Sequence, residues 1–102
     1  MPAYIISDLT VKDAETMEIY RTRAAASIAH HGGRYLVRGG EINSLEGGWN
    51  PSAIVVAEFP DIERARAWYH SPEYAHALEV RDAALTRRLI LVDGVAPAPS
   101  PQ

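Results

Sequence analysis

His70, Glu58, Arg38, Tyr74 and Arg81 are the side chains whose types and spacing could do chemistry. His70 stands just before Ser71-Pro72-Glu73, which is a helix start: N-cap hydroxyl, Pro at the first helical position, acid in the first turn. At such a break an imidazole serves either as a general base or as a hydrogen-bonded junction residue. Glu58 shares strand parity with Ile54 and Val56, so it reads either as a catalytic carboxylate or as half of an interface ion pair. Arg81 falls seven after Tyr74, three after Leu78 and four before Leu85, one charge on an apolar helix stripe. A guanidinium there must be paired, must snorkel, or must anchor an anionic or carbonyl ligand. Arg38, ahead of Gly39-Gly40, shares parity with Arg34 and Leu36. It is either a protective edge charge or a second anchor re-aimed by a bulge at the Gly pair. Tyr74 offers a hydroxyl to a cavity or a ring to the core. These assignments make His70 and Glu58 the candidate catalytic residues, and Arg38, Tyr74 and Arg81 the candidate substrate contacts.

Other chemistries find little support. His30 and His31 are adjacent and so point about 100° apart on a helix. His70 and His76 are six apart, not four. With no cysteine in the chain there is no thiolate nucleophile or ligand, so no metal site and no cofactor is expected. Phosphate-loop, dinucleotide and nucleophile-elbow motifs are missing. The net charge of −3 argues against nucleic acid, and Arg64, Arg66, Arg87 and Arg88 read as solvated pairs. The apolar runs at Ala53–Ala57 and Leu89–Val92 are too short to cross a bilayer, and the N-terminus lacks the basic start of a signal peptide. A soluble cytoplasmic protein with no membrane or nucleic-acid partner is the expectation.

The elements that must position these residues follow from pattern. Ala3–Val11 reads as a strand, and Asp13 caps a helix running to about His31 with Met17, Tyr20, Ala24 and Ile28 on one stripe. Arg34–Leu45 reads as a long strand broken at Gly39-Gly40, and Ala53–Phe59 as the next. Asp61 and Ser71 cap two helical pieces, and Arg87–Val95 is the last strand. The 102 residues make one domain over 1–95, followed by a Pro/Ala-rich extended tail over 96–102. The order βαββαβ predicts an α+β, ferredoxin-like fold: an antiparallel sheet with helices on one face. Yet the strands are apolar at both parities, as Ile54, Val55 and Val56 illustrate. One sheet face therefore needs a cover that the chain's own helices cannot supply, and a second copy is the simplest one.

The run Gly32–Gly40 (GGRYLVRGG), the run Ala67–Tyr74 (AWYHSPEY), Pro2-Ala3-Tyr4, Leu45-Glu46-Gly47, Glu58-Phe59-Pro60 and the closing Leu91–Gly94 give a further handle. Together they resemble the domain of unknown function 1330 family (DUF1330) of the dimeric α/β-barrel superfamily. The resemblance implies a monomer that pairs sheet to sheet into a closed barrel. It also implies relatives that range from cofactor-free monooxygenases and isomerases to haem-handling proteins and ligand-binding regulatory domains. No catalytic residue carries over from it. The expected function is binding of a small organic carbonyl or carboxylate compound, with cofactor-independent oxygenation or isomerisation as its chemistry. A non-catalytic dimeric sensing or interaction module is the alternative.

Overall fold

The computed structural model describes residues 1–95; the proposed tail at 96–102 lies outside the described residues. In chain order the elements are β1 (Ala3–Val11), α1 (Ala14–His30), β2 (Arg34–Arg38), β3 (Ala53–Phe59), α2 (Ile62–Tyr69), α3 (Pro72–Ala84) and β4 (Leu85–Asp93). The strands form one antiparallel sheet in the order β2-β3-β1-β4, which is the ferredoxin-like arrangement.

The helix boundaries are set by the caps read in the sequence. Asp13 accepts from the Thr16 amide at 2.8 Å, and Asp61 from the Arg64 amide at 2.7 Å. Ser71 does both jobs at the α2–α3 break: its Oγ accepts from the Tyr74 amide and donates to the Trp68 carbonyl. The helices cover one sheet face, where Trp68, Tyr74 and Phe59 are fully buried. Trp68 stacks on Tyr74 with ring centroids 4.1 Å apart and donates its indole N–H to Ser27 Oγ on α1 at 2.9 Å. That bond satisfies a buried donor which would otherwise be costly.

Two strands differ from the expectation: β2 at its end, and β4 at both ends, running Leu85–Asp93 rather than Arg87–Val95. β2 stops at Arg38 rather than Leu45, because Gly39 turns the chain with φ +77°. The bulge lies at Leu36 instead of the Gly pair: Arg34 faces Glu58 and Tyr35 faces Ala57, but Val37 then faces Val56 and Arg38 faces Val55. One extra residue inverts parity for everything after it. Arg38 therefore shares the helix-covered face with Tyr35, not the open face with Arg34. The last strand also begins early, at Leu85, which pairs with Val11 of β1. Leu85 is thus a strand residue, and the α3 stripe ends at Ala84.

On the open face, Val37, Val56, Ile6 and Ile90 line up across the four strands. Ion pairs flank this band, Arg34 to Glu58 at 3.1 Å and Arg88 to Asp8 at 2.6 Å. Ile90 is 56% exposed and Val37 41%, so this face carries the apolar surplus noticed in the strands.

Gly33 sits hard against the core at the α1–β2 corner. A Cβ there would lie 2.7 Å from the Phe59 ring and 2.9 Å from Ile28. Gly33→Ala should destabilise the fold by about 1–3 kcal/mol through overpacking, measured by urea denaturation; an unchanged midpoint would show that the α1–β2 corner yields freely.

Candidate functional site: a cavity beneath the first helix

A cavity of about 120 Å³ lies between α1 and the sheet. It is somewhat smaller than the ~150 Å³ known to admit a benzene-sized guest. Its floor is the inner face of the sheet, with Ser7 at the centre of β1 between Val55 and Leu89. Its roof is the α1 stripe at Met17, Tyr20, Ala24 and Ile28. Tyr35 and Arg38 line it from β2, and Arg87 lines it from β4. The exposed lining residues Val11, Arg21, Arg38 and Gly39 sit at the end of the sheet where β1 and β2 finish, so the mouth is there.

Arg87 sets the chemistry. Its Nη1 donates to Tyr20 Oη at 2.7 Å, and Tyr20 Oη shares a hydrogen bond of 2.6 Å with Tyr74 Oη. Nη2 of Arg87 and Oγ of Ser7 are buried with no partner among the described residues. Burial disfavours the Arg87 charge, but the oxygens of Tyr20 and Tyr74 outweigh it and hold the guanidinium above its ordinary value. Burial pushes the Tyr74 phenol far up, and the neighbouring Tyr20 adds to this. Burial likewise raises Tyr35, against the pull of Arg38, whose guanidinium carbon sits 4.6 Å from the Tyr35 ring centre. Tyr35 and Tyr74 are therefore protonated donors and acceptors at neutral pH, not bases. The lining carries three arginines, with Arg21 paired to Glu18 outside, and no carboxylate or imidazole among the described residues.

The residues singled out in the sequence disperse. Arg38 lines the cavity, turned there by the bulge at Leu36. Tyr74 is fully buried directly behind Tyr20, one hydrogen bond away from Arg87's partner. Arg81 does not reach the cavity: it sits half-buried in the last turn of α3, bonded to Asp82 at 3.2 Å. It lines a separate open groove with Lys12, Tyr69 and Leu85. Glu58 is on the opposite face of the sheet, paired with Arg34. His70 is exposed at the end of α2 and lines a shallow groove beside β4 with Arg66 and Tyr69.

Arg87, Ser7, Tyr20 and Tyr35 were not among the sequence candidates. Arg87, read as half of a solvated pair with Arg88, is instead inward-facing. The signal was present, since neighbours on a strand face opposite ways and Arg87 shares parity with Leu89 and Leu91.

A family model described as domain of unknown function (DUF1330) matches residues 2–95. The chain belongs to the DUF1330 family. No protein of curated function matches it. Among solved structures, this DUF1330 chain is similar to RPA0582 from Rhodopseudomonas palustris, a protein of unknown function. The TM-score is 0.75 at 20% identity, covering 94% of this chain and 84% of that one. It is also similar to SnoaB, a cofactor-independent oxygenase from Streptomyces nogalater, with TM-score 0.66 at 19% identity over 97% and 98% of the two chains. A dimeric ferredoxin-like protein of unknown function from Thermobifida fusca gives TM-score 0.58 at 20% identity over 91% of each. Likeness at these identities carries the fold and nothing finer.

Tyr20→Phe removes the acceptor of Arg87 and the partner of Tyr74 at once. It should lower stability by about 1–3 kcal/mol, the cost of leaving buried polar groups unmade. Urea unfolding at neutral pH is the measurement; a change below about 0.5 kcal/mol, the scatter of ordinary surface substitutions, would mean that water replaces the hydroxyl.

Proposed function

We propose that this DUF1330 protein is a homodimer that binds a small organic acid, enol or carbonyl compound in the cavity beneath α1. Arg87 anchors the ligand's oxygen, and Arg38 guards the mouth. The observation that carries this reading is the spare Nη2 of Arg87, a buried donor without a partner among the described residues, beside an apolar cavity. A ligand oxygen supplies what that donor lacks. The cavity's size favours a short branched chain, or a ring that extends into the mouth.

Cofactor-independent oxygenation or isomerisation is the reaction class the site would suit. Both pass through an enolate or related anion, and fixed cationic donors favour that anion over its neutral parent. Among the described residues the lining holds no carboxylate or imidazole to take the proton, so the compounds best matched are acidic enough to bind already ionised. His70 and Glu58, outside the cavity, fit junction and ion-pair roles better than base catalysis. The same lack of a base favours the second reading, a module that binds such an anion without transforming it.

The homodimer rests on the open face of the sheet. Val37, Val56, Ile6 and Ile90 form an apolar band, and the ion pairs on either side give it polar borders, as an interface core and rim require. Similar folds include a protein described as dimeric. Two sheets packed here would bury on the order of 1,500 Å² or more in total. The domain proper is assigned to residues 1–95, and a cytoplasmic location suits a chain without cysteine.

Small phenolic, enolic and carboxylic compounds should raise the melting temperature of the wild-type protein, and Arg87→Met should abolish that rise while the variant still folds. A ligand-induced rise that survives Arg87→Met would remove Arg87 as the anchor. Oxygen consumption with the compounds that bind then separates an oxygenase from a sensor. For assembly, sedimentation at micromolar concentration should give a dimer, and Val56→Asp should release monomers or unfold the chain. A wild-type monomer would defeat the sheet-to-sheet pairing.

A further inference from the structure

We propose that His30, His31 and Glu73 form a binding site for a zinc-like divalent transition-metal ion, separate from the cavity beneath α1. One nitrogen from each imidazole and one carboxylate oxygen all lie within 4.8 Å of one another. His31 Nε2 is 2.8 Å from Glu73 Oε1, and His30 Nε2 is 3.7 Å from the same oxygen. Tetrahedral zinc with bonds of about 2.0–2.1 Å sets its ligand atoms about 3.3 Å apart. The two separations from Glu73 bracket that value, and rotation of the exposed His30 ring closes the imidazole pair, whose ligand atoms lie within 4.8 Å.

The expectation from sequence was that two adjacent helical histidines diverge. Here His30 is the last residue of α1 and His31 is its cap, and their rings meet edge to face with centroids 5.1 Å apart. The third ligand comes from α3, which no spacing rule within α1 could disclose. Its position is fixed: Glu73 stands in the first turn of α3 behind the Ser71 cap and Pro72. His31 is held by its own amide, which donates to the carbonyls of Ser27 and Ile28. The carbonyl end of α1 adds partial negative charge where the cation would sit. His31 and Glu73 are already partly buried and hydrogen-bonded, while His30 is exposed and free to swing.

Two imidazole nitrogens and one carboxylate oxygen are ligands of borderline softness that suit Zn²⁺ better than Ca²⁺ or Mg²⁺. Three protein ligands leave a fourth position for water. It would face the groove lined by His30, His31, Asp61, Glu63, Arg64 and Ala67, where two acids and one arginine share the surface. The ion would tie the end of α1 to the start of α3.

The test is calorimetric titration of the untagged full chain with zinc chloride in a non-chelating buffer. One ion per chain with a dissociation constant in the micromolar range is expected. His30→Ala and Glu73→Gln should each weaken binding about tenfold or more, at or above the loss that follows removal of a mere outer partner. His76→Ala, on the exposed face of α3, should change nothing. Circular dichroism confirms that the variants fold, and two independent ligand variants keep the result readable if one does not. Binding no tighter than millimolar overturns the proposal, as does wild-type affinity in both ligand variants. Neither outcome bears on Arg87 or on the cavity.

Discussion

A guanidinium placed on the covered face of a sheet has to be solvated by protein, and the demand made by Arg87 organises much of this fold. The hydrogen-bonded chain from Arg87 through Tyr20 to Tyr74 joins β4, α1 and α3 across the gap between layers. Each element contributes one polar atom, and none could be withdrawn without leaving a buried charge or hydroxyl unmet. Tyr74 is in turn clamped by Trp68, whose indole is tied to Ser27 of α1. The aromatic cluster and the polar chain therefore meet at one ring. Position of α1 over the sheet is set by these bonds at its middle, and the cavity is the space that the remaining small and branched side chains leave unfilled.

The backbone frame was largely legible in the sequence because its punctuation is strong. Asp13, Asp61 and Ser71 cap the helices as their types require, and the βαββαβ order leaves few alternatives for the sheet. The site was less legible, for three separate reasons. Inward arginines violate the hydrophobic pattern, so Arg87 passed for a surface pair although its parity with Leu89 placed it inside. A single extra residue at Leu36 leaves no compositional mark, yet it moved Arg38 from one face to the other. Arg81 keeps the face of α3 that carries Tyr74, Ala77 and Ala84, but at the helix end that face meets a groove with Lys12 and Tyr69, not the cavity under α1.

The two faces of the sheet divide the work. Inner positions along β1 run Ala3, Ile5, Ser7 and Leu9, all buried under the helices. The alternating outer positions Tyr4, Ile6 and Asp8 belong to the open face with its apolar band and flanking ion pairs. Glu58 illustrates the consequence. A carboxylate on a central-sheet strand looks catalytic in one dimension, but its parity commits it to the open face, and Arg34 across the strand pair satisfies it there. In the proposed dimer such pairs sit at the border of the apolar band, where they fix register rather than supply much affinity.

What the cavity lacks constrains its chemistry as firmly as what it holds. Arginines supply a fixed positive field, and Tyr35 and Tyr74 are kept protonated by burial, so among the described residues the interior can donate to an anion but holds no carboxylate or imidazole to create one. The low local dielectric strengthens attraction for an ionised oxygen and penalises a ligand carrying an unpaired positive charge. Selectivity under the proposed reading is therefore a matter of the ligand's own acidity joined to a small apolar body. A compound meeting both conditions arrives in the electronic state that reacts with oxygen or rearranges, and the protein's share is to hold that state oriented and out of water. A compound meeting only the first condition stays in solvent, since the walls of the cavity at Leu9, Met17, Ile28 and Leu89 offer its polar remainder no partner.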